Sequence, residues 1–271
     1  METDIDYKAL NMFWCWINER ENVRVRRAAG HPRPWSSDVI FQTQHFCNVR
    51  REDDRITKEI HAVIRSHRVS VEFLPYWYTV ARMFNKPETL DRALAAWRNG
   101  AHWPTHLKRL RAEGFKLFHT AYVVSTCGKS MDKVDYVDCV ALNVLVLNVP
   151  SKGLQKAFNE LVMVDGLGSF MAGQIVADLR NSPYLKPAPN EGKMWCVSGP
   201  GSLKGLKYIF RNFSARHFTS YIDELYLQMP EEIRRMDIHA QDLQNCLCEF
   251  SKYMRIYNDE GGRRRPFPGE L

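Results

Sequence analysis

Apolar residues recur at spacings of three and four along most of the chain, with polar positions on the complementary faces. This pattern predicts helices over residues 7–19, 54–66, 71–84, 87–98, 104–112, 133–148, 153–164, 169–180, 202–211, 214–228 and 236–255. Some runs, such as "VEFLPYWYTVARMF" over 71–84, are apolar on nearly every side and predict buried helices. Period-two alternation is sparse, so strands are not expected. Gly and Pro punctuate the helical runs at "GHPRPWSSD", "NKPET", "STCGKS", "RNSPYLKPAPNEGKMW" and "SGPGS". The chain reads as all-α, with residues 1–100 and 101–271 as two helical lobes of one fold and a cleft between them.

Two of the breaks carry chemistry. In "VDGLGSFMAGQIVADL" a Gly-x-Gly turn separates two amphipathic runs. Gly166 and Gly168 permit backbone angles other residues avoid, and the amides of the helix opening at Ser169 then point outward, a setting that suits a nucleic-acid phosphate. In "CVSGPGSLKGLKYIF" glycines again precede a helix: Gly199 and Gly201 open a turn, Ser202 is placed to cap and Lys204 follows. That reads either as a loop-to-helix junction or as a second phosphate site.

Three further segments have both a structural and a functional reading. "CNVRREDDR" sets acids among arginines, for helix capping or for phosphate contact by Arg51 or Arg55. In "RMFNKPET", Asn85 either caps a helix or reads a base at the mouth of a cleft. In "DLQNCLCEFSKYMR", Leu243, Leu247, Phe250 and Met254 form a core stripe, while Glu249 and Lys252 form a salt-bridged or a substrate-binding face.

Composition narrows the partner. The 271 residues are 45% hydrophobic, ample for a core, and 38 Lys plus Arg against 31 Asp plus Glu give +7. The excess gathers at "RVRRAAGHPRP", "HLKRLR" and the tail "GGRRRP", which favours a polyanion, with a solvated surface as the alternative. Seven cysteines without a C-x-x-C pair argue against a disulfide framework or zinc ribbon. P-loop, dinucleotide, G-x-S-x-G and H-E-x-x-H signatures are absent. No apolar run approaches the roughly 20 residues of a membrane span, and "METDIDYKAL" lacks a signal-peptide pattern. The expectation is an intracellular protein with no membrane partner.

The segment "LVMVDGLGSFMAGQIVADL", with Ala172 four residues after the second glycine, resembles the helix-hairpin-helix of the DNA glycosylase superfamily. "RPWSSDVIFQTQHFCNVRREDDRIT", "ARMFNKPETL", "GLGSFMAGQIVADL", "SGPGSLKGL" and "LCEFSKYMR", in this order across residues 10–256, resemble the alpha-glutamyl/putrescinyl thymine pyrophosphorylase group, related to the helical domain found with phage 5-hydroxymethyluracil DNA kinases.

The resemblance implies a glycosylase-like helical fold acting on a flipped, modified pyrimidine in DNA. It implies a transferase that replaces pyrophosphate on 5-hydroxymethyluracil by an amine, an amino acid or polyamine, in a phage-infected or bacterial cell. The alternative is a glycosylase excising a hypermodified base, as in defence against phage. A second alternative is a non-catalytic reader of modified DNA. The superfamily's essential Asp falls nearest Ser198, where no acid stands, and the lysine of lyase-type members is Phe170 here, which leans toward transfer. In that scheme Asp178 or Glu249 takes the proton of the amine, and Asn85 helps read the base. Trp195 or Phe84 stacks on it, and the "SGPGS" amides with Lys204 hold the departing pyrophosphate. Glu191 is a further acid that excision would call on. No cofactor is implied with certainty; magnesium accompanies a pyrophosphate substrate as a possibility, without a visible ligand cluster.

Overall fold

The computed structural model describes residues 4–119, 124–189 and 191–261. Its α-helices are α1 (Tyr7–Ala28), α2 (Val39–Thr43), α3 (Arg55–Ser66), α4 (Leu74–Phe84), α5 (Pro87–Arg98), α6 (Trp103–Ala112), α7 (Lys133–Leu147), α8 (Leu154–Val162), α9 (Ser169–Arg180), α10 (Pro200–Ile209), α11 (Phe218–Leu227), α12 (Glu231–Arg234) and α13 (Ala240–Tyr257). Among the described residues β-type pairing is confined to two isolated bridges, Ile5 with Phe210 and Lys152 with Lys186. The described chain is all-helical, as its periodicity predicts. The arginines of the tail cluster "GGRRRP" lie outside the described residues.

Helix ends depart from the expected ones for local reasons. α1 continues past residue 19 to Ala28 because the chain offers no Gly or Pro before Gly30, and Arg26 and Arg27 favour the negative end of the helix dipole. α10 opens at Pro200, whose missing N–H costs nothing at a first turn. Residues 71–73 and 215–217 are single 3-10 turns that lead into α4 and α11. α2 and α12 are too short to show a periodicity.

The chain divides into two compact units, Met1–Asp54 with Lys193–Leu271, and Arg55–Gly192. This partition does not coincide with a division at residue 100. The reason lies in helix pairing: α1 packs on α10 and α13 from the far end of the sequence, whereas α3, α4 and α5 pack with α6, α7 and α9.

In the first unit Phe13 and Ile17 of α1 meet Leu206 and Ile209 of α10 and Leu243, Leu247 and Phe250 of α13, all without exposed surface. Burying each such side chain stabilises by about 1.5–3 kcal/mol. The α10–α13 crossing is close because α10 carries glycines one turn apart. A Cβ on Gly201 would collide with Cys248 Sγ, and one on Gly205 with the Leu247 carbonyl oxygen.

In the second unit α4 is buried at every position. Its apolar faces pack on α7 and α9, α5 lies against α3 and α6, and α8 packs on α9. Arg82 is the one charged residue of α4, and its burial requires a partner from elsewhere in the unit.

Candidate functional site

That partner is Asp178, on the last turn of α9. Arg82 donates from Nε to Asp178 Oδ2 at 2.5 Å and from Nη2 to Oδ1 at 2.7 Å, a bidentate pair with the carboxylate fully buried. Arg82 Nη2 also donates to Thr57 Oγ1 at 3.0 Å, and Nη1 to Asn85 Oδ1 at 3.4 Å. His61 Nε2 also approaches Asp178, 3.8 Å from Oδ1. His61 Nδ1 is 2.6 Å from the Tyr78 hydroxyl. Burial, reinforced by the Asp178 charge, raises the Tyr78 phenol far above its ordinary pKa. A neutral phenol can donate to Nδ1, which leaves the imidazole proton on Nε2, facing Asp178.

Two of the three residues expected in proton transfer and base reading, Asp178 and Asn85, therefore meet around one guanidinium. Asn85 is also a cap: it ends α4 in the left-handed region (φ 48°, ψ 34°), and its N–H donates to Ala81 O at 2.7 Å. The sequence reading missed Thr57, His61, Tyr78 and Arg82. A signal existed, since Thr57 with His61 and Tyr78 with Arg82 are i, i+4 polar pairs on otherwise buried helix faces.

The Gly-x-Gly turn joins α8 to α9. Gly166 has φ +95°, and a Cβ there would collide with the Tyr136 hydroxyl and crowd Val140. Leu167 plugs the turn into the core. Gly168 is the N-cap of α9 with no side chain bonded over it; Gly168, Ser169 and Phe170 are exposed, and a Cβ on Gly168 would meet open space. Asp165, the acid beside the turn, is ion-paired with Lys129 at 2.5 Å. The turn thus offers a helix start to solvent, with its neighbouring acid paired.

The second glycine turn is built differently. Ser202 is fully buried, accepting from Gly199 N at 3.0 Å and donating to Gly199 O at 2.9 Å. Gly201 and Gly205 are packing glycines, as above. The phosphate reading of "SGPGS" expected Ser202 and Gly201 to face a ligand; the geometry instead gives both a place against the first unit's core, because α13 approaches too closely for side chains. Lys204 is exposed on the same helix.

Glu249 is nearly buried too. Its Oε2 accepts from Cys47 N at 3.1 Å, and Oε1 is ion-paired with Lys252. Burial disfavours the Lys252 charge, but Glu249 more than offsets it and raises that pKa. Asp242 accepts from Arg51 N and from His239 N, both at 2.8 Å. Arg20 donates to Cys47 O at 2.9 Å, and Asn245 to Asn48 O at 3.1 Å. The motif segment around residues 46–51 is thus fastened to α1 and α13 through its backbone. Arg55 is exposed and 3.6 Å from Glu59. Trp195 and Phe84, expected as stacking platforms, are buried; Phe84 packs on Phe118 and Trp103. Glu191 accepts from the Leu154, Gln155 and Ala188 amides at 2.6–2.7 Å and so holds the start of α8. Burial opposes its charge, yet these bonds prevail and lower its pKa.

Among the described residues no group of three or more His, Cys, Asp or Glu is placed to hold a metal ion. Nor is any described helix long and apolar enough to cross a membrane.

A protein-family model described as "5-hmdU DNA kinase, helical domain" matches residues 7–262. A 5-hmdU DNA kinase of Bacillus phage SP10 is 25% identical over 299 aligned residues, which cover 93% of this chain and 46% of the relative. The chain therefore spans about half the length of that curated relative. No solved structure matches.

Proposed function

The chain belongs to the family of the 5-hmdU DNA kinase helical domain, and from that membership we propose that it acts on 5-hydroxymethyluracil, or a derivative of it, in DNA as a base-modifying enzyme. The observation that carries this reading is the extent of the match, residues 7–262. In the finer form of the proposal an amine nitrogen attacks the methylene carbon on C5 of pyrophosphorylated 5-hydroxymethyluracil. The new C–N bond forms as the C–O bond breaks, pyrophosphate leaves with the electron pair, and the proton released by the amine passes to the departing pyrophosphate. The exposed amides at Gly168 and Ser169 hold a DNA phosphate beside the flipped nucleotide.

A second reading rests on a specific observation. Asp178 and Glu249, the acids named for proton transfer, are both buried and ion-paired, with Arg82 and Lys252 respectively. That arrangement suits a domain that binds the modified base and leaves the chemistry to another catalytic centre. Mass spectrometry of nucleosides and released small molecules separates the two. The protein is incubated with DNA carrying 5-hydroxymethyluracil or its pyrophosphorylated form, with and without candidate amines. An amine-linked thymine with free pyrophosphate establishes transfer. Unchanged nucleosides with selective retention of the modified DNA establish the reader, and a free base with an abasic site replaces both by excision.

A further inference from the structure

Much of the basic surface is answered by carboxylates. On α6, Lys108 lies 2.8 Å from Asp135, Arg111 2.6 Å from Asp132 and Arg109 3.8 Å from Glu113. On α1, Arg24 is paired with Glu21 and Arg26 lies 3.6 Å from Glu19. Two lysines of the second unit stand apart from this pattern, and they line a cleft.

The cleft is open and has a volume of about 630 Å³, within the range of roughly 300–1,000 Å³ usual for small-molecule sites. Lys152 and Lys156 line it from the segment that opens α8, and Glu72 lines it from the turn that leads into α4. All three are exposed, and no ion pair engages them among the described residues. Val71, Pro150 and Tyr184 add apolar surface to the lining.

The frame that carries the two lysines is fixed through its backbone. Gly153 N donates to Lys186 O and Lys186 N to Ser151 O, both at 2.9 Å, and the Tyr184 hydroxyl donates to Val149 O. Asn148 ends α7 in the left-handed region at φ 52°. The Leu154 and Gln155 amides that open α8 are already taken by the Glu191 carboxylate. An anion in the cleft is therefore left to the lysine side chains.

From this arrangement we infer that the cleft binds a small phosphate-bearing molecule, a nucleoside monophosphate. Two ammonium groups on a fixed frame suit a phosphate dianion, since each offers three charged donors. The apolar lining suits the flat face of a base, and the Glu72 carboxylate accepts from a sugar hydroxyl or a ring N–H. Glu72 also distinguishes this ligand from a DNA strand, whose successive phosphates would meet its charge. The inference goes beyond the proposed base chemistry, which requires no free nucleotide, and its test involves no modified DNA.

The test is isothermal titration calorimetry of the full chain with thymidine 5′-monophosphate, adenosine 5′-monophosphate and inorganic phosphate. The wild type is compared with Lys152→Gln/Lys156→Gln and with Lys8→Gln/Lys133→Gln, a removal of two exposed charges outside the cleft. Circular dichroism verifies that each variant is folded. At least one of the two nucleotides is expected to bind the wild type, and the cleft variant should bind it about tenfold more weakly or worse, as the loss of charged hydrogen bonds implies. The second variant is expected to stay within a factor of about two of wild type, because distant surface charges are screened. Inorganic phosphate, which has no body for the apolar lining or for Glu72, should bind about tenfold more weakly than the nucleotide. Absence of binding of both nucleotides to wild type overturns the inference, as does an unchanged affinity in the cleft variant or an equal loss in the second variant. Equal affinity for inorganic phosphate overturns it in favour of a plain anion contact. Displacement of the bound nucleotide by a DNA duplex without terminal phosphates overturns it in favour of a strand contact.

Discussion

The two glycine turns, "DGLG" before α9 and "SGPGSLKG" at the start of α10, look alike in sequence, and the structure separates them. In the first, Gly166 is required by a positive φ and by the Tyr136 hydroxyl, while Gly168 faces open space and its helix start has no side-chain cap. In the second, Gly201 and Gly205 are required by α13, and the buried Ser202 hydroxyl turns back onto the Gly199 N–H and carbonyl. Glycine before a helix thus has two physical causes, an unusual backbone angle at an open end or the close approach of another helix. The first leaves its N-cap glycine, Gly168, exposed, whereas Gly199 of the second is half-buried.

The comparison breaks most visibly at Gly205. A Cβ there collides with a backbone atom, the Leu247 carbonyl oxygen, which cannot rotate away. Gly205→Ala is expected to push α10 from α13 and to lower stability by about 1–3 kcal/mol or more, the usual cost of overpacking. Urea unfolding measures it. A fully stable Gly205→Ala would mean that the helices are not in the close contact described.

Gly166→Ala is expected to cost slightly less. Its Cβ adds the strain of φ +95°, but it meets the ends of the Tyr136 and Val140 side chains, which can give way. About 1–2 kcal/mol is expected from the left-handed backbone alone. Hydrogen exchange at the α8–α9 junction should rise with it, while the amides of α10 keep wild-type protection.

How far all this was legible follows from the range of the interactions. The helices were legible because their period is written in adjacent turns, and so was the break between α8 and α9, where the positive φ of Gly166 is a local need. Asp178 could be singled out as an acid in an apolar helix, but its partner lies 96 residues away on α4. Only the lone Arg82 in "LPYWYTVARMF" pointed to a buried counter-charge. The pairing of α1 with α10 and α13 leaves no local trace, so a division at residue 100 was the natural expectation. The packing role of Gly201 and Gly205 was hidden for the same reason: the atoms that forbid a side chain belong to α13.

A pH series sharpens the contrast between helix starts on the two sides of the comparison. The start of α8, which feeds the first turn, is held by the Glu191 carboxylate, whereas the start of α10 is held by the Ser202 hydroxyl, which accepts from the Gly199 N–H. The Glu191 pKa is lowered in the folded chain, so its contribution is fully present above the unfolded carboxylate pKa and is lost as pH falls through the folded value. The stability gap between wild type and Glu191→Gln should therefore shrink as pH is lowered from 6 through the carboxylate range, to about 3. The gap for Ser202→Ala, about 1 kcal/mol for a missing hydrogen bond, should stay constant over the same range. Urea midpoints at each pH decide the matter, and parallel curves for the two variants would remove Glu191 as the titrating cap.

The smallest expected effect on stability is also the sharpest test of the open turn. Gly168 has φ −75° and ψ 167°, angles available to any residue, and a Cβ there meets no atom within 4 Å. Alanine is a poorer N-cap than glycine, yet it lowers the entropy of the unfolded chain by a similar amount, so the two contributions nearly cancel to within about 0.5 kcal/mol. Binding to DNA need not cancel in the same way. If a phosphate approaches the amides that open α9, the added methyl stands in its path, and the affinity of Gly168→Ala for DNA should fall several-fold at an unchanged unfolding midpoint. Unchanged affinity would mean that no phosphate comes close to Gly168. The exposed turn would then be a means of joining α8 to α9, and the difference between the two glycine turns would be one of packing alone.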